Sequence, residues 1–188
     1  LIYLQDSLGL IGEVDRLIVT EDRYLVLDKS RKTIWIYTKE GRLISKINKV
    51  GRGAGEYSNA WSLITKPGNY IGIIDDGQMS VFWYDEMGNF IERINLSGYP
   101  VDALTDGENL YVLYRNLHND ITINKNYYLH LLDSNSDFQR GYLEFINPMI
   151  FQKGILAKLA MICKTIKAYE PATTFLYSTI SQPQTPTA

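Results

Sequence analysis

With 188 residues, 45% of them hydrophobic, the chain is long enough to bury one sizeable core and too apolar to stay unfolded. Its 19 basic and 21 acidic residues leave a net charge of −2, which gives nucleic acid no basic field to follow. Cys163 stands alone, excluding an internal disulfide framework and a cysteine-built metal site, and no apolar run reaches the roughly 20 residues of a membrane helix.

The chain opens at Leu1 with neither an initiator Met nor a signal-peptide pattern, so a processed or trimmed form is expected. Aromatic residues make up 12% and fall in short β-branched runs, which favours strands over helices. From Tyr24 the sequence reads YLVLDKSRKTIWIYTKEGRLISKI, and from Tyr70 it reads YIGIIDDGQMSVFWYDEMGNFIERI. Tyr37 and Tyr84, Gly41 and Gly88, and Ile47 and Ile94 are each 47 residues apart. In the second copy strands are expected at about Ala60–Ile64, Tyr70–Ile74, Ser80–Tyr84 and Asn89–Leu96. The turns at Pro67, Asp75 and Glu86 carry the Gly or Asn that hairpins with positive φ require. A third copy starts near Leu110, places Leu132 48 residues after Tyr84, and holds an insertion over about 115–126. A four-stranded meander repeated at this period is the signature of β-propeller blades, whose faces are buried only by neighbouring blades.

The stretches LVLDKSRKTIWIYTKEG and IGIIDDGQMSVFWYDEMG resemble NHL-type six-bladed propellers. The segment GRGAGEY, Gly51–Tyr57, is similar to the G-x-G-P-G-E-(Tyr/Phe) linker of a bacterial group of such propellers, many of them surface or periplasmic lipoproteins of unassigned role. Ala54 departs from that pattern, where Pro is usual. The likeness spans about Ile11 to Phe145, three blades of an expected six, and implies a periplasmic or cell-surface location.

The expected architecture is therefore all-β, a partial propeller with blades over about 11–50, 58–97 and 101–146 within a domain of 1–146. Beyond Phe145 the pattern changes. Residues 147–170 form a helical segment in which KGILAKLAMICKTIKAYE, Lys153–Glu170, reads as an amphipathic helix with its lysines on the polar face, and 171–188 reads as a disordered tail. A shortened natural variant, a reading-frame change and a cut inside a larger propeller would each explain the missing fourth blade. Open faces on the end blades favour self-association, two copies completing a ring, unless the helix shields one face.

GRGAGEY also imitates phosphate loops. A dinucleotide fingerprint needs its third glycine where Glu56 stands, and a Walker loop needs Gly-Lys-Ser/Thr where Gly55-Glu56-Tyr57 puts a carboxylate, so the segment reads as a blade-to-blade corner. Arg52 and Glu56 are the residues within it that could still bind. The run Asp133–Glu144 imitates a calcium loop, but Phe138 occupies the position that needs Gly, so a solvated turn is expected. Asp28, Asp75 and Asp76 follow second strands, where they cap turns or line an acidic rim. His118 and His130 have no nucleophile context, so no catalytic residue, metal site or cofactor is expected. Trp35, Tyr37, Trp83 and Tyr84 read as equivalent strand positions packing between blades, whereas Tyr57, Trp61 and Tyr99 sit near the starts of innermost strands and face the opening, where sugars or peptides stack. The leading expectation is a non-catalytic exported binding or scaffold module for a protein, peptide or carbohydrate. The alternative is a fragment of a divalent-cation-dependent, gluconolactonase-like propeller hydrolase.

Overall fold

A computed structural model of the chain describes residues 2–5, 9–117, 127–144 and 174–175. Twelve strands form three antiparallel meanders. The first blade is β1 (Arg16–Val19), β2 (Arg23–Asp28), β3 (Thr33–Thr38) and β4 (Leu43–Ile47). The second is β5 (Ser62–Lys66), β6 (Tyr70–Asp75), β7 (Ser80–Tyr84) and β8 (Phe90–Asn95), and the third is β9 (Gly98–Thr105), β10 (Leu110–Leu117), β11 (Tyr127–Leu132) and β12 (Phe138–Glu144). A short β13 (Thr174–Phe175), inside the stretch expected as a tail, pairs antiparallel with β1. The helix expected over 153–170 lies outside the described residues, as do His118 and most of the 115–126 insertion.

The repeat is visible in the hydrogen bonding of each blade. The ladder between third and fourth strands carries an irregularity at Ile36/Tyr37, at Trp83/Tyr84 and at Leu131/Leu132, the same place in all three sheets. The following turns also match. Thr38 Oγ1 accepts from the Glu40 and Arg42 amides, Asp85 Oδ1 from those of Met87 and Asn89, and Asp133 Oδ1 from those of Asn135 and Asp137. Positive φ falls at Gly41 (84°), Gly88 (83°) and Ser136 (68°). Asp133 is thus a turn-capping residue, as its place in the repeat requires, and its other oxygen accepts from the side-chain Nε2 of Gln139 at 2.7 Å. The three-residue loop Pro67–Asn69 between the paired Lys66 and Tyr70 puts Gly68 and Asn69 at φ of 87° and 61°, the left-handed backbone that tight hairpin loops draw on.

Strand alternation divides each blade between two cores. Leu25, Leu27, Ile34, Ile36 and Ile47 of the first blade meet Leu63, Ile71, Ile73, Phe82 and Tyr84 of the second. On the opposite face of the second blade, Ile64, Ile74, Val81 and Trp83 meet Ala103, Val112, Tyr114 and Leu132 of the third. Trp35 and Tyr37 pack with Val26, Leu17 and Tyr24 on the far face of the first blade. This corrects one expected equivalence. Tyr37 and Tyr84 occupy the same position, but Trp35 matches Phe82, and Trp83 points the other way, because the 47-residue offset places it opposite Ile36.

Candidate functional site

The acidic turns build structure first. Asp28 is fully buried and accepts from the Gly12 amide at 2.7 Å, the Ser30 hydroxyl at 2.7 Å and the Arg31 amide at 3.0 Å. Asp75, also fully buried, accepts from the Ser58 amide at 2.6 Å and from the Gly77 and Gln78 amides at 2.8 and 3.0 Å. Each carboxylate ties the turn after its second strand to the chain entering the first strand of the same blade. Burial on its own raises the pKa of Asp28, yet the hydrogen bonds from Ser30, Gly12, Arg31 and Glu13 outweigh it and hold the carboxyl below its ordinary value. Asp76 accepts from Asn59 Nδ2 at 2.7 Å. An acidic rim is therefore not what these residues form: both Asp28 and Asp75 are closed off from solvent.

GRGAGEY makes the corner between the first two blades. The Tyr57 amide bonds the Lys49 carbonyl at 3.0 Å, the Gly51 amide bonds the Tyr57 carbonyl at 2.9 Å, and Gln78 Nε2 reaches the Glu56 and Gly51 carbonyls from the second blade. The Glu56 carboxylate folds back onto the Gly53 amide at 2.9 Å, and Arg52 is exposed. Tyr57 is fully buried and donates to the Lys32 carbonyl at 2.7 Å, while Tyr84 donates to the Gly55 carbonyl at 2.9 Å. Burial raises both phenols well above their ordinary value. The expectation that Tyr57 faces the opening is thus corrected: it is an anchor between blades, edge-on to Tyr84 at 6.3 Å. His130 is likewise buried, edge-on to Tyr114 at 4.8 Å and Phe138 at 5.0 Å.

The innermost strands of the three blades converge. Arg16 on β1 donates to Ser62 Oγ on β5 and, at 2.8 Å, to Asp102 Oδ1 on β9, and Ser62 donates to the same carboxylate oxygen at 3.0 Å. Each residue pairs with its neighbouring second strand at the matching place, with Leu27, Ile74 and Leu113 as partners. A hydrophobic repeat search passes over this trio because one blade position holds an arginine, a serine and an aspartate. Aligning the blades by strand register exposes it.

Beside this trio lies Trp61. Its Nε1 donates to the Val101 carbonyl of β9 at 3.0 Å, which fixes the ring against the third blade. Lys29 Nζ of the first blade sits 4.3 Å from the ring centroid and the Arg115 guanidinium of the third blade 5.7 Å away. Trp61 and Lys29 are half-buried and Arg115 is exposed. Two residues along β9 from Val101, Tyr99 is 47% exposed. Of the five binding candidates read from sequence, the structure groups Trp61 and Tyr99 near the innermost strands, leaves Arg52 and Glu56 in the corner, and buries Tyr57. Lys29 and Arg115 were missed, because nothing in their spacing relates them to Trp61. Among the described residues no group of three or more His, Cys, Asp and Glu is placed to hold a metal ion.

Comparison with known structures supports the fold. A protein of Bacteroides fragilis NCTC 9343, named as an exported protein, superposes with a TM-score of 0.63 at 25% identity over 76% of this chain and 41% of its own. A member of the duf4221 family from Bacteroides vulgatus superposes with a TM-score of 0.55 at 11% identity, over 73% of this chain and 44% of its own. The chain thus spans less than half the length of either protein. No curated protein matches it. A family profile covers residues 5–179, and the chain belongs to that family, the domain of unknown function DUF4934.

Proposed function

We propose that this chain is part of a non-catalytic binding or scaffold module that works outside the cytoplasm. In this reading its three blades belong to an NHL-like, six-bladed ring of the surface or periplasmic lipoprotein kind. The location rests on the likeness to the exported Bacteroides fragilis protein. The binding role rests on one observation: Lys29, Trp61 and Arg115, one from each blade, converge beside the innermost strands. The divalent-cation hydrolase alternative has no observation in its favour.

A photo-reactive phenylalanine analogue in place of Tyr99, in the full protein within its own cells, tests the reading together with fractionation. Ile91 on the outer strand β8 has the same 47% exposure and serves as the control position. The expected result is an extracytoplasmic protein with a discrete crosslink from position 99 and none from 91. A cytoplasmic location, or equal labelling from both positions, overturns it.

A further inference from the structure

We infer that the Trp61 cluster recognises an acidic peptide segment. This inference rests on the binding role proposed above and assigns its ligand chemistry. Lys29 and Arg115 are held at 4.3 and 5.7 Å from one ring centroid, so their charges lie within about 10 Å of each other, close to the Debye length of about 8 Å at physiological salt. Among the described residues neither has a carboxylate within ion-pair distance, whereas Arg16, Arg23 and Lys66 each have one. Both cations are therefore open to carboxylates that a ligand brings, while the nearby Asp15 carboxylate is engaged by the Lys29 backbone amide at 2.7 Å.

The ring geometry favours a peptide over a sugar. A pyranose stacking on Trp61 needs the open face of the indole, and at 4.3 Å the Lys29 ammonium already lies over that ring. The site offers charge and a fixed indole, and the exposed Tyr99 lies two residues along the same strand from Val101. Trp, Tyr and Arg are the residues that dominate the energetics of protein interfaces, and carboxylate side chains are the groups that match two cations set apart on a shallow surface. The ring carries no mobile hydrogen-bond donor for the ligand, since Nε1 is committed to Val101.

The chain has three tryptophans, of which Trp35 and Trp83 are 3% and 2% exposed, so indole fluorescence responsive to a soluble ligand reports on Trp61. Titrating the full chain with a capped oligoglutamate peptide is expected to change that signal saturably, and added salt is expected to weaken the binding. Lys29→Gln and Arg115→Gln should each weaken it about tenfold, while Arg42→Gln, an exposed cation of the first-blade turn, should leave it unchanged. Capped oligoglutamine should give no response. Circular dichroism of both binding variants checks that the fold is intact. No response to oligoglutamate, equal loss in Arg42→Gln, or a response to polygalacturonate as strong as that to the peptide overturns the inference. Position-99 crosslinking can still succeed in any of those cases, so the broader binding role is tested separately.

Discussion

Asp28 shows how a buried acid is kept charged. Its oxygens take amide and hydroxyl hydrogens from Gly12, Ser30 and Arg31, so an amide in its place would turn a donor toward donors. Asp28→Asn should cost about 2 kcal/mol in urea unfolding, and Asp75→Asn a similar amount, because hydrogen bonds to a charged group are each worth about 1.5–3 kcal/mol. The native pKa of Asp28 is depressed, so its contribution is fully present above the unfolded carboxyl value of about 3.9 and is lost as pH falls through the native one. Melting temperature followed from neutral pH to below pH 4 should fall more steeply for the parent than for Asp28→Asn; parallel curves would count against this account. Gly55 tells the same story in backbone terms. Its φ is 72°, and a methyl there would stand 2.4 Å from Phe90 Cγ, so Gly55→Ala should destabilise by about 2 kcal/mol. These two roles were partly legible. The aspartates announced themselves as turn residues, and GRGAGEY as a corner, but burial of the carboxylates depends on the chain entering each blade, Gly12 and Ser58, which carries no signal of its own. Tyr57 was misplaced for a related reason: an aromatic next to an innermost strand reads as facing the axis, whereas the corner turns it into the seam between blades.

At the level of strands, burial falls off from the middle of a blade to its outer edge. Every residue of β7 is buried, while β8 exposes Ile91, Glu92 and Arg93. Phe82→Ala should therefore cost about 3–5 kcal/mol, since it opens a void between first and second blades, and Ile91→Thr should change stability by less than about 0.5 kcal/mol. Equal losses in the two variants would mean that the seam is not the main source of stability. Strand positions were the most readable part of the chain. Ser80–Tyr84 falls where the turn signals place it and β6 runs one residue past the expected Tyr70–Ile74, and the 47- and 48-residue offsets carry the same turn chemistry into all three blades. Side-chain direction was less readable. Trp35 and Trp83 look alike in local context, yet they face opposite sides because a period of two makes a single-residue offset decisive.

Over the whole chain, what sequence could not reveal is contact between blades at unrelated repeat positions. Lys29, Trp61 and Arg115 share no spacing, and Arg16, Ser62 and Asp102 share a place in the blade but no chemistry. A double-mutant cycle on Arg16→Ala and Asp102→Ala measures how firmly the first and third blades are joined. With 18% and 30% of these side chains exposed, a coupling of about 1 kcal/mol is expected by equilibrium unfolding, and additive losses would indicate two independent surface groups.

The Arg16–Asp102 pair joins residues separated by 86 positions, skipping over the second blade. Stacked repeats that touch only their neighbours can fray one unit at a time, like a zipper opening from an end. A bond from the first unit to the third works against that order here, because an end blade that detaches first gives up this coupling of about 1 kcal/mol as well as its seam with the second blade. The expected consequence is that Arg16→Ala lowers the opening free energies of amides in β1 and β9 together, read by native-state hydrogen exchange, where a loss confined to β1 would show the end units opening independently.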